Sequence, residues 1–188
     1  MRTFVAIKLP DELISRLKAA QKELDRGWRE VSWVKTSSIH LTLKFLGEVG
    51  PESIDSVSEA LEGAAEGIAP LTISVEGVGG FPNLKAPRVI WAGVRENPEL
   101  TRLQKNIDEG LSPLGFEKDD RPFQPHLTLC RIKSMASGRE LGRLIGELKP
   151  DVTTEFKAAS FSLFKSVLSP KGAEYTVLKE IGLSDGKK

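Results

Sequence analysis

Residues 39–48 read IHLTLKFLGE and residues 125–132 read PHLTLCRI. The tetrapeptide HLTL thus occurs twice, and the only two histidines of the 188-residue chain, His40 and His126, open the two copies. Successive side chains of an extended strand alternate between its faces. His40 therefore shares a face with Thr42, and His126 with Thr128, while Leu41, Leu43, Leu127 and Leu129 fall on the opposite side, where they can anchor each strand to a core.

Outward from these stretches the chain alternates strand-like and helix-like patterns. RTFVAIKL, ending at Pro10, reads as a buried strand. Leu13, Leu17, Ala20 and Leu24 recur at helical spacing, which predicts an amphipathic helix over about 11–25. REVSWVK and IHLTLKFL read as strands, and Gly50-Pro51 opens a second helix. LTISVEGV and RVIWAGV are further strands, separated by a turn-rich loop, GGFPNLKAP. Asn97-Pro98 has the chemistry of a cap and first turn before Leu100, Leu103, Ile107 and Leu111. PHLTLCRI is a strand, and Leu141, Leu144, Ile145 and Leu148 mark another helix. EFKAASFSLFKS and AEYTVLKEI close as strands, with the tail at 184–188 expected to fray.

The order strand, helix, HLTL strand occurs in both halves. His40 and His126 are 86 residues apart, and the same shift aligns Arg2 with Arg88, Ala6 with Ala92 and Leu17 with Leu103. With nine threonines in the chain, composition alone puts Thr two places after both histidines with a probability of roughly 0.2%. Duplication is the simpler account. The expected architecture is α+β, one bilobal domain over 1–183 with a two-fold-like arrangement that turns both polar pairs toward one cleft.

Composition narrows the functional classes. Apolar residues make up 39% and charged residues 28%, with net charge +1, which argues against a broad nucleic-acid binder or a polybasic membrane anchor. The single cysteine, Cys130, excludes an internal disulfide and a cysteine-rich zinc site. No apolar run approaches the length of a membrane span, and the opening MRTFVAIKLP lacks the pattern of a signal peptide. A cytoplasmic monomer is the expectation.

Two imidazoles and two hydroxyls facing one cavity suit phosphodiester chemistry. One imidazole can take a proton from water while the other gives one to the leaving oxygen, and hydroxyls can hold the non-bridging oxygens. A zinc site would need ligands that no HExxH or CxxC spacing supplies, so no metal or other cofactor is expected. Strict alternation puts Cys130 on the face of His126, where a thiol nucleophile is imaginable and a small space-filling side chain is the blander reading. It likewise puts Lys44 on the face of His40. Arg131 would point away unless a bulge or strand end brings it back, in which case its guanidinium suits a phosphate.

At these residues the chain resembles the 2H phosphoesterase superfamily, defined by two HxTx motifs, and within it the RNA 2′,3′-cyclic phosphodiesterases, also called 2′-5′ RNA ligases. HLTLKFLGEV, GGFPNLKAPRVIWAGV, FQPHLTLCR and LFKSVLSPKGAEYTVL are similar to that family's blocks and follow in its order. The resemblance implies antiparallel sheets lining a central groove with helices outside, and metal-independent hydrolysis of an RNA-terminal 2′,3′-cyclic phosphate to a 2′-phosphate. It implies His40 as proton donor to the leaving 3′ oxygen, His126 as the base that activates water, and Thr42, Thr128 and Arg131 as phosphate-binding residues. Cys130 stands where alanine is more familiar. The partners implied are RNA ends or nucleotides carrying a 2′,3′-cyclic phosphate.

Two other functions fit the same residues. A 2′-5′ RNA ligase would use an RNA 5′-hydroxyl in place of water, and a non-catalytic module would keep the groove only for binding RNA or nucleotides. Phe81, Phe123, Phe164 and Tyr175 are candidates for base stacking, each weighed against ordinary packing.

Overall fold

The computed structural model describes residues 1–170 and 172–186. In chain order the elements are β1 (Arg2–Ile7), α1 (Asp11–Leu24), β2 (Val31–Trp33), β3 (Leu41–Glu48), α2 (Ile54–Ala65), β4 (Leu71–Phe81), β5 (Val89–Val94), α3 (Pro98–Leu111), β6 (His126–Ile132), α4 (Met135–Leu148), β7 (Thr154–Ala158), β8 (Ser160–Ser169) and β9 (Gly172–Gly182). The helices follow the apolar periodicity: α1 buries Leu13, Leu17, Ala20 and Leu24, and α3 buries Leu100, Leu103, Ile107 and Leu111. At the start of α3 the Asn97 side chain accepts from the backbone N–H groups of Glu99 and Leu100 with Pro98 in the first turn, satisfying donors that a helix start leaves open.

The strands form two antiparallel sheets, the α+β arrangement expected. One has the order β3-β1-β8-β9 and the other β2-β6-β5-β4-β7. The two halves exchange strands. In the first sheet β1 lies between β3 and β8, and in the second β5 lies between β6 and β4. Each sheet thus sets an HLTL strand beside the opening strand of its own half, then takes the next strand from the other half.

Helices cross over in the same way. Gln21 of α1 donates to the Leu129 carbonyl of β6 at 3.0 Å, while Asp108 of α3 is bonded by Lys44 of β3. One continuous apolar core runs between the sheets and helices and takes in Leu13, Leu17, Leu41, Leu103, Leu127 and Leu163.

Two strand boundaries and the register of the repeat differ from the sequence expectation. EFKAASFSLFKS is two strands: β7 pairs with β4 and β8 with β1, so the chain changes sheets at Ala159. Gly79, Gly80 and Phe81 belong to β4 and pair with Trp91, Ile90 and Val89, leaving a shorter loop before β5. The repeat is also one residue looser than a single shift implies. Thr42 pairs with Ala6 but Thr128 with Trp91, so β1 matches β5 at one residue less than the 86 that separates the histidines. In the tail, Ser184 bridges to Glu66 and Ile68; residues 187 and 188, also expected to fray, lie outside the described residues.

Candidate active site

Both HLTL strands carry a bulge at the same place. Thr42 faces Ala6 and Lys44 faces Val5, which leaves Leu43 as an extra residue in β3. Thr128 faces Trp91 and Cys130 faces Ile90, which leaves Leu129 extra in β6. An inserted residue reverses the alternation beyond it. Burial follows suit: Leu43 and Lys44 are both buried and Phe45 exposed in one strand, Leu129 and Cys130 both buried and Arg131 exposed in the other.

The bulges settle where three side chains point. Arg131 turns into the groove and lines a cavity together with His40, Thr42 and Thr128. Lys44, expected on the face of His40, instead points into the protein, where it pairs with Asp108 and donates to the Glu117 carbonyl at 2.8 Å. Cys130, expected beside His126, is fully buried. Burial pushes its thiol up to about 12, so it is held as an inert thiol rather than a nucleophile.

The two histidines are tethered alike. The Nδ1 of His40 lies 3.0 Å from the Ser38 carbonyl and the Nδ1 of His126 lies 2.7 Å from the Gln124 carbonyl, each two residues upstream. A carbonyl can only accept, so each Nδ1 carries the hydrogen, and each Nε2 is left to exchange a proton. His40, Thr42, His126, Thr128 and Arg131 all line one cavity of 540 Å³. A second cavity of 470 Å³ adjoins it on the His40 side, flanked by Phe45 and Leu168.

The surroundings of the two rings differ. His40 rests among Phe4, Phe164 and Tyr175, with ring centroids at 6.1, 4.8 and 5.3 Å. His126 meets the edge of Phe81 at 4.9 Å. Burial in the aromatic nest lowers the pKa of His40, the Ser38 carbonyl acts against the shift, and the Lys8 charge adds to it. In the free protein His40 is thereby biased toward neutrality. A bound phosphate anion supplies the opposite charge that draws the proton back.

Of the four aromatics proposed for stacking, Phe164 is buried beneath His40, Tyr175 walls the groove, Phe81 braces His126 and Phe123 sits on the rim of the larger cavity. The sequence reading missed Phe45, which is 73% exposed and borders both cavities. It stands in the first strand where Arg131 stands in the second, and the shared bulge is what presents both. Among the described residues no group of three or more His, Cys, Asp or Glu side chains is placed to hold a metal ion, and no helix is long and apolar enough to cross a membrane.

The LigT like phosphoesterase family model matches residues 7–91 and 93–175. The chain is 39% identical over 179 residues to the RNA 2′,3′-cyclic phosphodiesterase of Archaeoglobus fulgidus, covering 95% of this chain and 98% of that protein. It is 36% identical over 180 residues to the protein of that name from Methanocaldococcus jannaschii, covering 96% and 99%. Among solved structures, E. coli LigT complexed with 3′-AMP superposes with a TM-score of 0.80 at 28% identity, over 97% of this chain and 98% of that one. A Thermus thermophilus protein superposes at 0.79 with 34% identity, over the same shares.

Proposed function

The chain belongs to the LigT like phosphoesterase family, and on that footing we propose that it hydrolyses the 2′,3′-cyclic phosphate of RNA ends to a 2′-phosphate, with no metal or other cofactor. The observation that carries this reading is the matched presentation of two imidazoles and two hydroxyls to one cavity, with Arg131 turned in by a bulge. In the proposed reaction His126 takes a proton from water as the water oxygen attacks phosphorus. The bond to the ribose 3′ oxygen breaks, and His40 gives that oxygen its proton. Thr42, Thr128 and Arg131 hold the non-bridging oxygens as their charge grows.

This assignment sets the ribose on the side of His40. The 470 Å³ cavity there has the size for a nucleoside, with Phe45 and Arg131 on its walls as flat surfaces for a base. The larger cavity reaches His126 and has room for a 5′-hydroxyl nucleoside in place of water, so 2′-5′ ligation is the second reading. With water at about 55 M, hydrolysis is the favoured outcome. Residues 1–183 are read as one bilobal domain that works as a monomer in the cytoplasm.

The test is turnover of adenosine 2′,3′-cyclic phosphate and of a short RNA with that end, in EDTA, from pH 5 to 9, with the product phosphate located by NMR. Wild type is expected to form the 2′-phosphate with a bell-shaped pH profile. His40→Ala and His126→Ala are each expected to lose about 10²–10⁴ in rate while retaining the fold. Binding of both substrates without turnover would replace this reading with a binding module.

A further inference from the structure

A third cavity, of 450 Å³, lies beyond His40 and is lined by Lys8, Lys35, Ser37, His40 and Tyr175. It shares His40 and Tyr175 with the cavity read above as the nucleoside site. Lys8 lies near enough to His40 for its charge to act on the imidazole. Among the described residues neither Lys8 nor Lys35 forms an ion pair. Glu174 is the acidic side chain on the lining, and the Ser169 hydroxyl donates to it at 3.4 Å. The cavity thus presents two uncommitted ammonium groups against one carboxylate, directly next to a histidine read as touching a ribose oxygen.

We propose that Lys8 and Lys35 form a subsite for the phosphate on the 5′ side of the terminal nucleoside, so that the protein selects RNA chain ends over free nucleoside cyclic phosphates. The inference rests on the hydrolysis reading, and on His40 as the group that meets the ribose. A nucleoside whose 3′ oxygen meets His40 carries its 5′ substituent on the same ribose. That substituent must leave along the His40 side of the groove, where the lysines stand. In an RNA chain it is the diester to the penultimate nucleotide, and a single negative charge there is what two lysines and one carboxylate neutralise. The remainder of the chain then leads away over the Lys35 side, clear of the His126 cavity where water must enter.

Three substrates separate the contributions: adenosine 2′,3′-cyclic phosphate, the same compound with a 5′-phosphate, and adenylyl-(3′→5′)-adenosine 2′,3′-cyclic phosphate. In wild type both phosphate-bearing compounds are expected to exceed the first in kcat/KM by on the order of tenfold at low salt, since each exposed charge pair contributes modestly. The advantage should shrink as ionic strength rises. The quantity to read is the ratio to the compound without a 5′ phosphate in the same variant, which cancels any effect on His40 itself. In Lys8→Ala/Lys35→Ala that ratio should fall to near one. A ratio near one in wild type, or an advantage that survives in the double variant, overturns the subsite. If wild type turns over none of the three, the hydrolysis reading fails and the subsite with it.

Discussion

Lys44 and Cys130 occupy corresponding positions 86 residues apart, each directly after a bulged leucine and each turned into the protein. In one half the position is an ammonium bonded to Asp108; in the other it is an uncharged thiol under the helix that carries Gln21. The charged version does more than fill space. Asp108 also accepts from the Gln104 amide at 3.2 Å, and Lys44 also holds the Glu117 carbonyl. The pair therefore fastens α3 and the start of the segment leading to Gln124 onto the strand of the first motif.

Breaking that pair from one side should be costly. Lys44→Met leaves Asp108 buried without its counter-charge, and a loss of about 3–5 kcal/mol is expected. Lys44→Met combined with Asp108→Leu should recover most of it, because no lone charge remains. Urea unfolding of both single variants and the double variant measures this, with an unchanged slope showing that the native fold persists. A loss in the double variant equal to the sum of the two single losses would mean the pair contributes nothing specific.

The lowered pKa of His40 gives stability a pH dependence of defined sign. Its native pKa lies below the ordinary histidine value of 6.5 because burial disfavours the charged ring. The unfolded chain therefore binds the proton more readily over that interval. This contribution is fully present above pH 6.5 and is lost as pH falls toward the native pKa. His40→Gln should flatten the stability curve in that window. NMR titration should find His40 titrating below the usual histidine range in the free protein, and moving upward with inorganic phosphate bound. A downward shift would contradict phosphate binding beside the ring.

Cys130 should be silent toward thiol reagents. A buried thiol raised to about 12 has almost no thiolate at neutral pH. An aromatic disulfide reagent should label it only on unfolding, and Cys130→Ala should turn over substrate at the wild-type rate. Fast labelling of the native protein, or loss of turnover in the alanine variant, would restore the thiol as a catalytic candidate.

The glycines of α4 offer a test of packing next to the site. A methyl group at Gly142 would overlap the Leu84 carbonyl oxygen, and one at Gly138 would lie 2.7 Å from the Pro87 carbonyl oxygen. Both contacts hold the segment that follows Phe81, the ring that braces His126. Gly142→Ala is expected to destabilise by about 1–3 kcal/mol. Gly146→Ala, which meets nothing within 4 Å, should be neutral or slightly stabilising through helix propensity. Similar melting temperatures for the two variants would show that the close approach can relax freely.

Much of this was legible in the chain itself. Helical spacing and the Asn97-Pro98 pair carry α1 and α3 because cap chemistry and amphipathic period act within a few residues. The doubled HLTL carries the histidines and threonines for the same reason. The bulges were not legible. LTLKF and LTLCR alternate passably whether or not Leu43 and Leu129 are extra, and only the register against β1 and β5 decides it. That register placed Arg131 and Phe45 in the groove, tied the Lys44 ammonium to Asp108 and buried Cys130. The break at Ala159 was hidden likewise. No turn residue marks it, and the partners that pull β7 and β8 apart, β4 and β1, lie far away in sequence.

The exchange of strands also sets an order of events during synthesis. β1 leaves the ribosome well before one of its neighbours, β8, which spans Ser160–Ser169. At ordinary elongation rates the first strand waits roughly 10–30 seconds for it. Through that interval the nascent chain carries an apolar strand with an open edge, which invites pairing with other chains. His40 reaches its aromatic nest only when Phe164 and Tyr175 emerge. The protein therefore cannot assemble its first half as a working unit ahead of its second, and the groove exists only once the chain has been made past Tyr175.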